Sequence, residues 1–186
     1  FGLTLVAAFC LAATTFAAGN QPTTEKKWEG SINVNTLSKY LKLTQSQHEK
    51  VADICKYFKK QMTLANEVAE GAKAAGAEVD VLTASEFGAD KMDAYDAVAF
   101  GCPAMGAEEL EDSEFEPMFS DCEGKLGGKK IALFGSYGWG DGEWMRTWEE
   151  TCKADGAVLA CDSVLVNEAP DDDAVVACQA LGKALC

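Results

Sequence analysis

Residues 130–145, KIALFGSYGWGDGEWM, decide the fold. Ile131 to Phe134 is an apolar, β-rich run bounded by Lys130 and Gly135, short enough for a buried strand and too short for an independent helix. A loop follows with glycines at 135, 138, 140 and 142 and with Tyr137 and Trp139 held among them. Asp141 then stands as a cap before a helix that opens on Glu143, Trp144 and Met145. A strand that feeds a helix through a glycine–aromatic loop is where an open α/β sheet places a ligand. The two rings either cap the core or lie against something flat.

Residues 95–112, YDAVAFGCPAMGAEELED, repeat that grammar: an apolar strand from Tyr95 to Phe100, then Gly101 to Gly106, then acids. Both loops resemble the two flavin-ring loops of short-chain flavodoxins from anaerobes, through GCPAMGAEELED and LFGSYGWGDGEWM. The similarity continues through Ala157–Pro170 (AVLACDSVLVNEAP) and Ala65–Val81 (ANEVAEGAKAAGAEVDV), so that it covers roughly residues 63–186.

The resemblance implies a non-covalently bound flavin mononucleotide (FMN) and a low-potential one-electron carrier that is not an enzyme. Such a ring needs apolar cover on its faces and polar partners along one edge. By resemblance, Trp139 stacks on one face and Met105 covers the other, while Glu108 receives the ring's N3–H. Gly106 lets its peptide turn cheaply toward the reduced ring. Ala107 completes the first loop, and Ser136, Tyr137, Gly138 and Gly140 complete the second. The expected partners are basic redox proteins, and the expected state is a monomer with no stable membrane association.

Charge is unevenly spread. Residues 1–62 hold 8 Lys/Arg against 4 Asp/Glu, a net of +4, and residues 63–186 hold 8 against 26, a net of −18, which gives the chain its −14. Such a step suggests segments of different role. The acidic body argues against nucleic-acid binding, because phosphates are repelled, and suits encounter with basic proteins. Eight cysteines carry no C-x-x-C pair, and His48 is the single histidine, so no zinc or iron–sulfur site is expected. Scattered cysteines in an α/β body are expected as buried thiols, which suits a cytoplasmic setting.

Taken in order, residues 1–18 are apolar, end in small residues, and read as a signal-peptide-like segment that points instead to export. They are too short and too rich in Ala and Thr for a membrane span. A rival reading makes Leu3–Phe9 a buried strand. Residues 19–62 read as a linker followed by helices, with Thr44 as the cap of one and His48, Lys56, Lys59 and Lys60 on solvated faces. The pattern LSKYLKLTQSQHEKVADI resembles the helix-turn-helix of small secreted bacterial proteins. From Thr63 the spacing predicts helix to Gly76, strand 78–83, strand 95–101, helix 113–122, strand 130–135, helix 142–154, strand 157–166 and helix 171–185. The cluster Asp171–Asp173 follows Pro170 as a helix cap rather than a metal site. The expected class is α/β, a flavodoxin-like three-layer sandwich with a parallel sheet.

One part of the family pattern is absent. Flavodoxins begin with a central strand and a T-x-T-G-N-T loop whose N–H groups hold the phosphate. Before the helix at 64 this chain has KYFKKQM instead, the tail of a helix. The central first strand is therefore expected as missing or replaced, and phosphate binding as impaired or altered. The alternative function is a cofactor-free scaffold, or a chimeric, exported helical module. A flavin-dependent reductase would need a nicotinamide motif, and none is visible.

Overall fold

The structure, a computed structural model, describes residues 2–7, 35, 38–39 and 42–186. The chain divides into two compact units, Phe1–Cys10 with Lys60–Cys186, and Leu11–Lys59. Its elements are β1 (Gly2–Ala7), α1 (Gln45–Ala74), β2 (Glu78–Leu82), a 3-10 turn (Met92–Ala94), β3 (Ala97–Gly101) and α2 (Phe115–Glu123). There follow β4 (Lys130–Tyr137), α3 (Glu143–Ala154), β5 (Val158–Leu159), β6 (Val164–Asn167) and α4 (Asp172–Ala184).

The strands form one parallel sheet in the order β2-β1-β3-β4-β5, with β6 also paired to β4. The apolar start thus corrects the signal-peptide reading over part of its length: Gly2–Ala7 is a strand, as the rival reading had it. Its backbone pairs on both sides, Leu3 with Val79 of β2 and with Ala97 of β3. A short apolar run satisfies a central strand and a signal segment equally well, and only pairing partners separate them. The central strand is therefore replaced by a segment far upstream, and residues 8–18, the rest of that apolar run, lie outside the described residues.

Three further expectations are corrected. The helix expected to begin near Thr63 is continuous with the one before it, because no glycine or proline stands between Gln45 and Glu70 to stop it. Thr44 caps it through a box in which Gln47 N–H meets Thr44 Oγ1 (3.4 Å) and Thr44 N–H meets Gln47 Oε1 (2.9 Å). The strand expected over 157–166 is broken into β5, alongside Lys130–Ile131, and β6, alongside Phe134–Tyr137. His48 is half-buried rather than solvated, and its Nδ1 lies 2.5 Å from Ser38 Oγ.

Strand alternation sorts the core onto two faces. Val98, Phe100, Ile131 and Leu133 pack with Phe115, Phe119, Trp144 and Trp148 of α2 and α3. Their alternates Ala97, Ala99, Ala132 and Phe134 are equally buried. Ser136 continues that second set, and its hydroxyl meets Gln61 of α1, which places α1 on that face. Helix α4 joins α1 there through Gln179 Nε2, which donates to Glu67 Oε2 at 2.7 Å. Asp171 caps α4 as expected, its carboxylate accepting from Ala174 N–H at 2.9 Å. Cys55, Cys102, Cys122, Cys152 and Cys178 are buried free thiols. Burial pushes Cys122 to about 11 and Cys152 and Cys178 to about 12, so these are packing residues rather than nucleophiles.

Candidate functional site

Both loops singled out in the sequence leave the carboxyl ends of neighbouring strands, since Gly101 of β3 pairs with Phe134 of β4. The pairing runs on past β3: Cys102 N–H donates to Phe134 O (3.1 Å) and Ala104 N–H to Ser136 O (2.9 Å). The first loop then closes on itself, because Met105 and Glu109 exchange both backbone hydrogen bonds at 2.9 Å. Three residues at the tip make that turn, with Gly106 at φ +51° and Glu108 at φ +59°. A glutamate in the left-handed region is strained and needs compensation.

The compensation is visible. Glu108 Oε1 accepts from Gly142 N–H at 2.8 Å and from Glu143 N–H at 3.0 Å. These amides open α3, whose N-cap residue is Gly142 and has no side chain to serve them. The first loop therefore caps the helix of the second, with a carboxylate at the positive end of its dipole. Gly140 makes the approach feasible: at φ +83°, a Cβ there would lie 2.2 Å from the Glu108 carboxyl carbon. Glu108→Ala is expected to cost about 1–2 kcal/mol, the worth of a good cap, read from the urea midpoint. An unchanged midpoint would show that the two amides find water instead.

The clamp leaves two large apolar side chains in solvent. Met105 is 40% exposed and Trp139 is 55% exposed, one on each loop. Gly106, Ala107 and Gly140 are exposed as well, and Gly138 is half-buried. Tyr137 differs, since its ring is half-buried against Trp144 at 5.5 Å between centroids. Ser136 differs further: it is 1% exposed and faces Gln61 beneath the loop rather than the loop tip. The structure thus brings Met105–Glu108 and Gly138–Gly140 together at one end of the sheet, with Ser136 and Tyr137 below them.

Three residues outside the expected set also build the site. Trp144 is buried, and its indole N–H donates to Cys102 O at 3.3 Å, which pins the start of the first loop to α3. Glu111 is 4% exposed, and its carboxylate takes the N–H groups of Ser113 (2.8 Å), Glu114 (2.9 Å) and Phe115 (2.9 Å) at the head of α2. An acid two to four residues ahead of a helix is a legible capping signal, but the run EELED hides which acid serves. Gln61 is the third, and nothing in KKQM marks it as buried. Lys60, expected on a solvated face, has a largely buried stem and pairs with Glu168 Oε2 at 3.1 Å.

The family model for flavodoxin matches residues 60–180. Flavodoxin of Megasphaera elsdenii is 46% identical over 121 residues, which are 65% of this chain and 86% of that protein. Flavodoxin of Clostridium beijerinckii is 42% identical over 109 residues, 59% of this chain and 79% of that protein. The solution structure of two-electron reduced Megasphaera elsdenii flavodoxin superposes with a TM-score of 0.61 at 44% identity, covering 67% of this chain and 88% of that one. A flavodoxin structure from the domain Archaea reaches the same TM-score at 21% identity, which speaks for the fold alone. Since the model covers more than half of the chain and the relatives are spanned over most of their length, the chain belongs to the flavodoxin family, whose members bind FMN and transfer electrons to redox partner proteins without being enzymes.

Proposed function

We propose that the chain is a one-electron carrier of low potential that holds FMN non-covalently between its two loops. The carrying observation is the pair Met105 and Trp139, large apolar side chains left in solvent on loops that the Glu108 carboxylate clamps together. An exposed methionine and tryptophan on a rigid frame fit a flat apolar ligand with a polar edge. When bound, FMN supplies all of the redox chemistry. Trp139 and Met105 cover its faces and keep water off them. Glu108 accepts from the N–H groups of Asp141, Gly142 and Glu143 and keeps one lone-pair position, on Oε2, for the ring's N3–H. Gly106 provides a peptide that turns at little cost. Ala107, Gly138 and Gly140 let the backbone come close.

The acidic body has two consequences. Negative charge surrounding the site disfavours further negative charge on the ring, which lowers the potential. It also steers basic partner proteins toward a monomeric carrier. Phosphate binding is altered relative to the family loop, since Lys60 and Gln61 stand within α1 rather than in a glycine-rich turn.

Fluorescence titration of the purified chain with FMN, beside riboflavin, tests this reading. Saturable quenching of both flavins is expected, and Trp139→Ala is expected to weaken riboflavin about ten-fold, the worth of one ring stack. Quenching by neither flavin would overturn it and leave a cofactor-free scaffold.

A further inference from the structure

Helices α2 and α3 pack on the same face of the sheet, and the seam between them stays open. Glu116, Phe119, Ser120 and Glu123 line it from α2, and Trp144, Thr147, Trp148 and Thr151 line it from α3. Both sets follow the i, i+3, i+4, i+7 spacing, so each helix gives one stripe to the seam. Between the stripes runs a groove of about 350 Å³, which also takes in Glu108 and Glu109 of the first loop. Phe119 and Trp148 are buried at its floor, whereas Glu116, Ser120 and Thr147 are exposed along its rim.

The groove calls for positive charge. Its lining holds four glutamates and no basic residue. Cations on α3 and just after α2 are engaged elsewhere: Lys125 with Asp93, Arg146 with Asp141 and Lys153 with Glu149. Burial, and then the charge of Asp155, push the Glu123 carboxyl above the usual carboxylate range, and a cation beside it relieves that repulsion. The groove calls for an acceptor as well. Trp148 is 2% exposed, with Phe115 and Phe119 edge-on to its ring. Its indole N–H is out of reach of solvent and has no hydrogen-bond partner among the described residues, although a buried indole ordinarily finds one. A simple cation offers that N–H nothing, and a free anion is repelled by the glutamates. A peptide segment with lysine or arginine supplies both needs, charge from its side chains and an acceptor from its backbone.

We propose that the groove between α2 and α3 is a docking site for a basic linear segment of a partner protein. Glu109, Glu116 and Glu123 take its cationic side chains, and Trp148 Nε1 donates to one of its backbone carbonyls. Peptide binding here stands apart from the flavin. Its consequence rests on the carrier reading above: the groove begins at Glu108, so a segment bound in it brings its own protein to the rim of the two loops.

Titration of the full chain, labelled with nitrogen-15, with an arginine–glycine–arginine peptide blocked at both ends tests it. The Trp148 indole N–H resonance, assigned by its loss in Trp148→Phe, is expected to shift downfield and saturate, while that of Trp139 stays in place. Spermidine, a cation without a carbonyl, is expected to leave the Trp148 resonance unmoved. Glu116→Gln combined with Glu123→Gln should weaken the peptide about ten-fold, the scale of two partly exposed charge pairs. Asp172→Asn combined with Asp173→Asn removes the same charge at the start of α4 and should change the affinity less than two-fold. The glutamine variants alter the rim rather than the floor, so they keep the test open should Trp148→Phe fail to fold. Three results overturn the proposal: an unmoved Trp148 resonance, an equal shift with spermidine, or an equal loss in the two double variants. Failure of the carrier reading looks different, since FMN is then not bound while the peptide still moves Trp148.

Discussion

Gly135→Ala is expected to cost about 3 kcal/mol, at the upper end of what overpacking a core exacts. A Cβ at that position would lie 2.1 Å from Cys102 O and 3.3 Å from the Trp144 ring. The nearest obstacle is backbone, and backbone that is already engaged. Cys102 O accepts the Trp144 indole N–H, Cys102 N–H bonds Phe134 O, and Ala104 N–H bonds Ser136 O. Relief requires the extension of β3 to peel away from β4, which would move the base of both loops together. The expected signature is therefore double: a lower urea midpoint and a weakened riboflavin affinity from a residue that touches no ligand. A midpoint within about 0.5 kcal/mol of the parent, as for an ordinary surface change, would show that the strands separate freely there.

That coupling explains why the two loops were legible in the sequence. Gly135, Gly140 and the acids after Met105 are forced by contacts between segments that are themselves close in sequence to strong strand runs. Each loop therefore carries its own signature, and Asp171 before α4 does the same. The parts that were not legible depend on distant partners. The run Gly2–Ala7 has no period of its own and becomes a central strand through pairing with residues more than seventy positions away. Composition changes at Met62 and suggests a boundary there, although no residue stops helix α1. Lys60 reads as part of a solvated face and Gln61 carries no signal of burial, and their partners, Glu168 and Ser136, lie far along the chain. The break between β5 and β6 falls at residues 160–163, where Asp162 and Ser163 interrupt the apolar run and the Ser163 hydroxyl donates to Glu149 Oε1 of α3 at 2.5 Å, again a partner that the local sequence does not announce.

Glu111→Ala is the second large effect, expected at about 3 kcal/mol, because a buried capping carboxylate leaves several donors unsatisfied when it goes. Its two oxygens receive the N–H groups of Ser113, Glu114 and Phe115, and the Ser113 hydroxyl as well. These donors open α2, whose N-cap residue Glu114 makes no side-chain cap bond of its own. Water has little access, since Glu111 is 4% exposed and Phe115 is fully buried, its ring stacked at 13° to Phe119 and edge-on to Trp148. The helix would have to fray to rescue its amides, and fraying would draw Phe115 out of the aromatic core. Glu111→Gln keeps an acceptor in place and should cost roughly half as much, about 1–2 kcal/mol, through the lost charge. Urea unfolding separates the two variants, and amide exchange at 113–115 locates the loss, with faster exchange expected there in Glu111→Ala. Equal midpoints for the two would mean that charge at the helix start, rather than hydrogen bonding, carries the stabilisation. A loss below about 1 kcal/mol in Glu111→Ala would mean that neither does. Glu111 and Glu108 then divide the labour of one short acidic loop: the first fastens it to α2 from within the core, and the second fastens it to α3 at the rim. The rim carboxylate accepts three amide bonds and the buried one four hydrogen bonds, so an acceptor position is left at the rim alone.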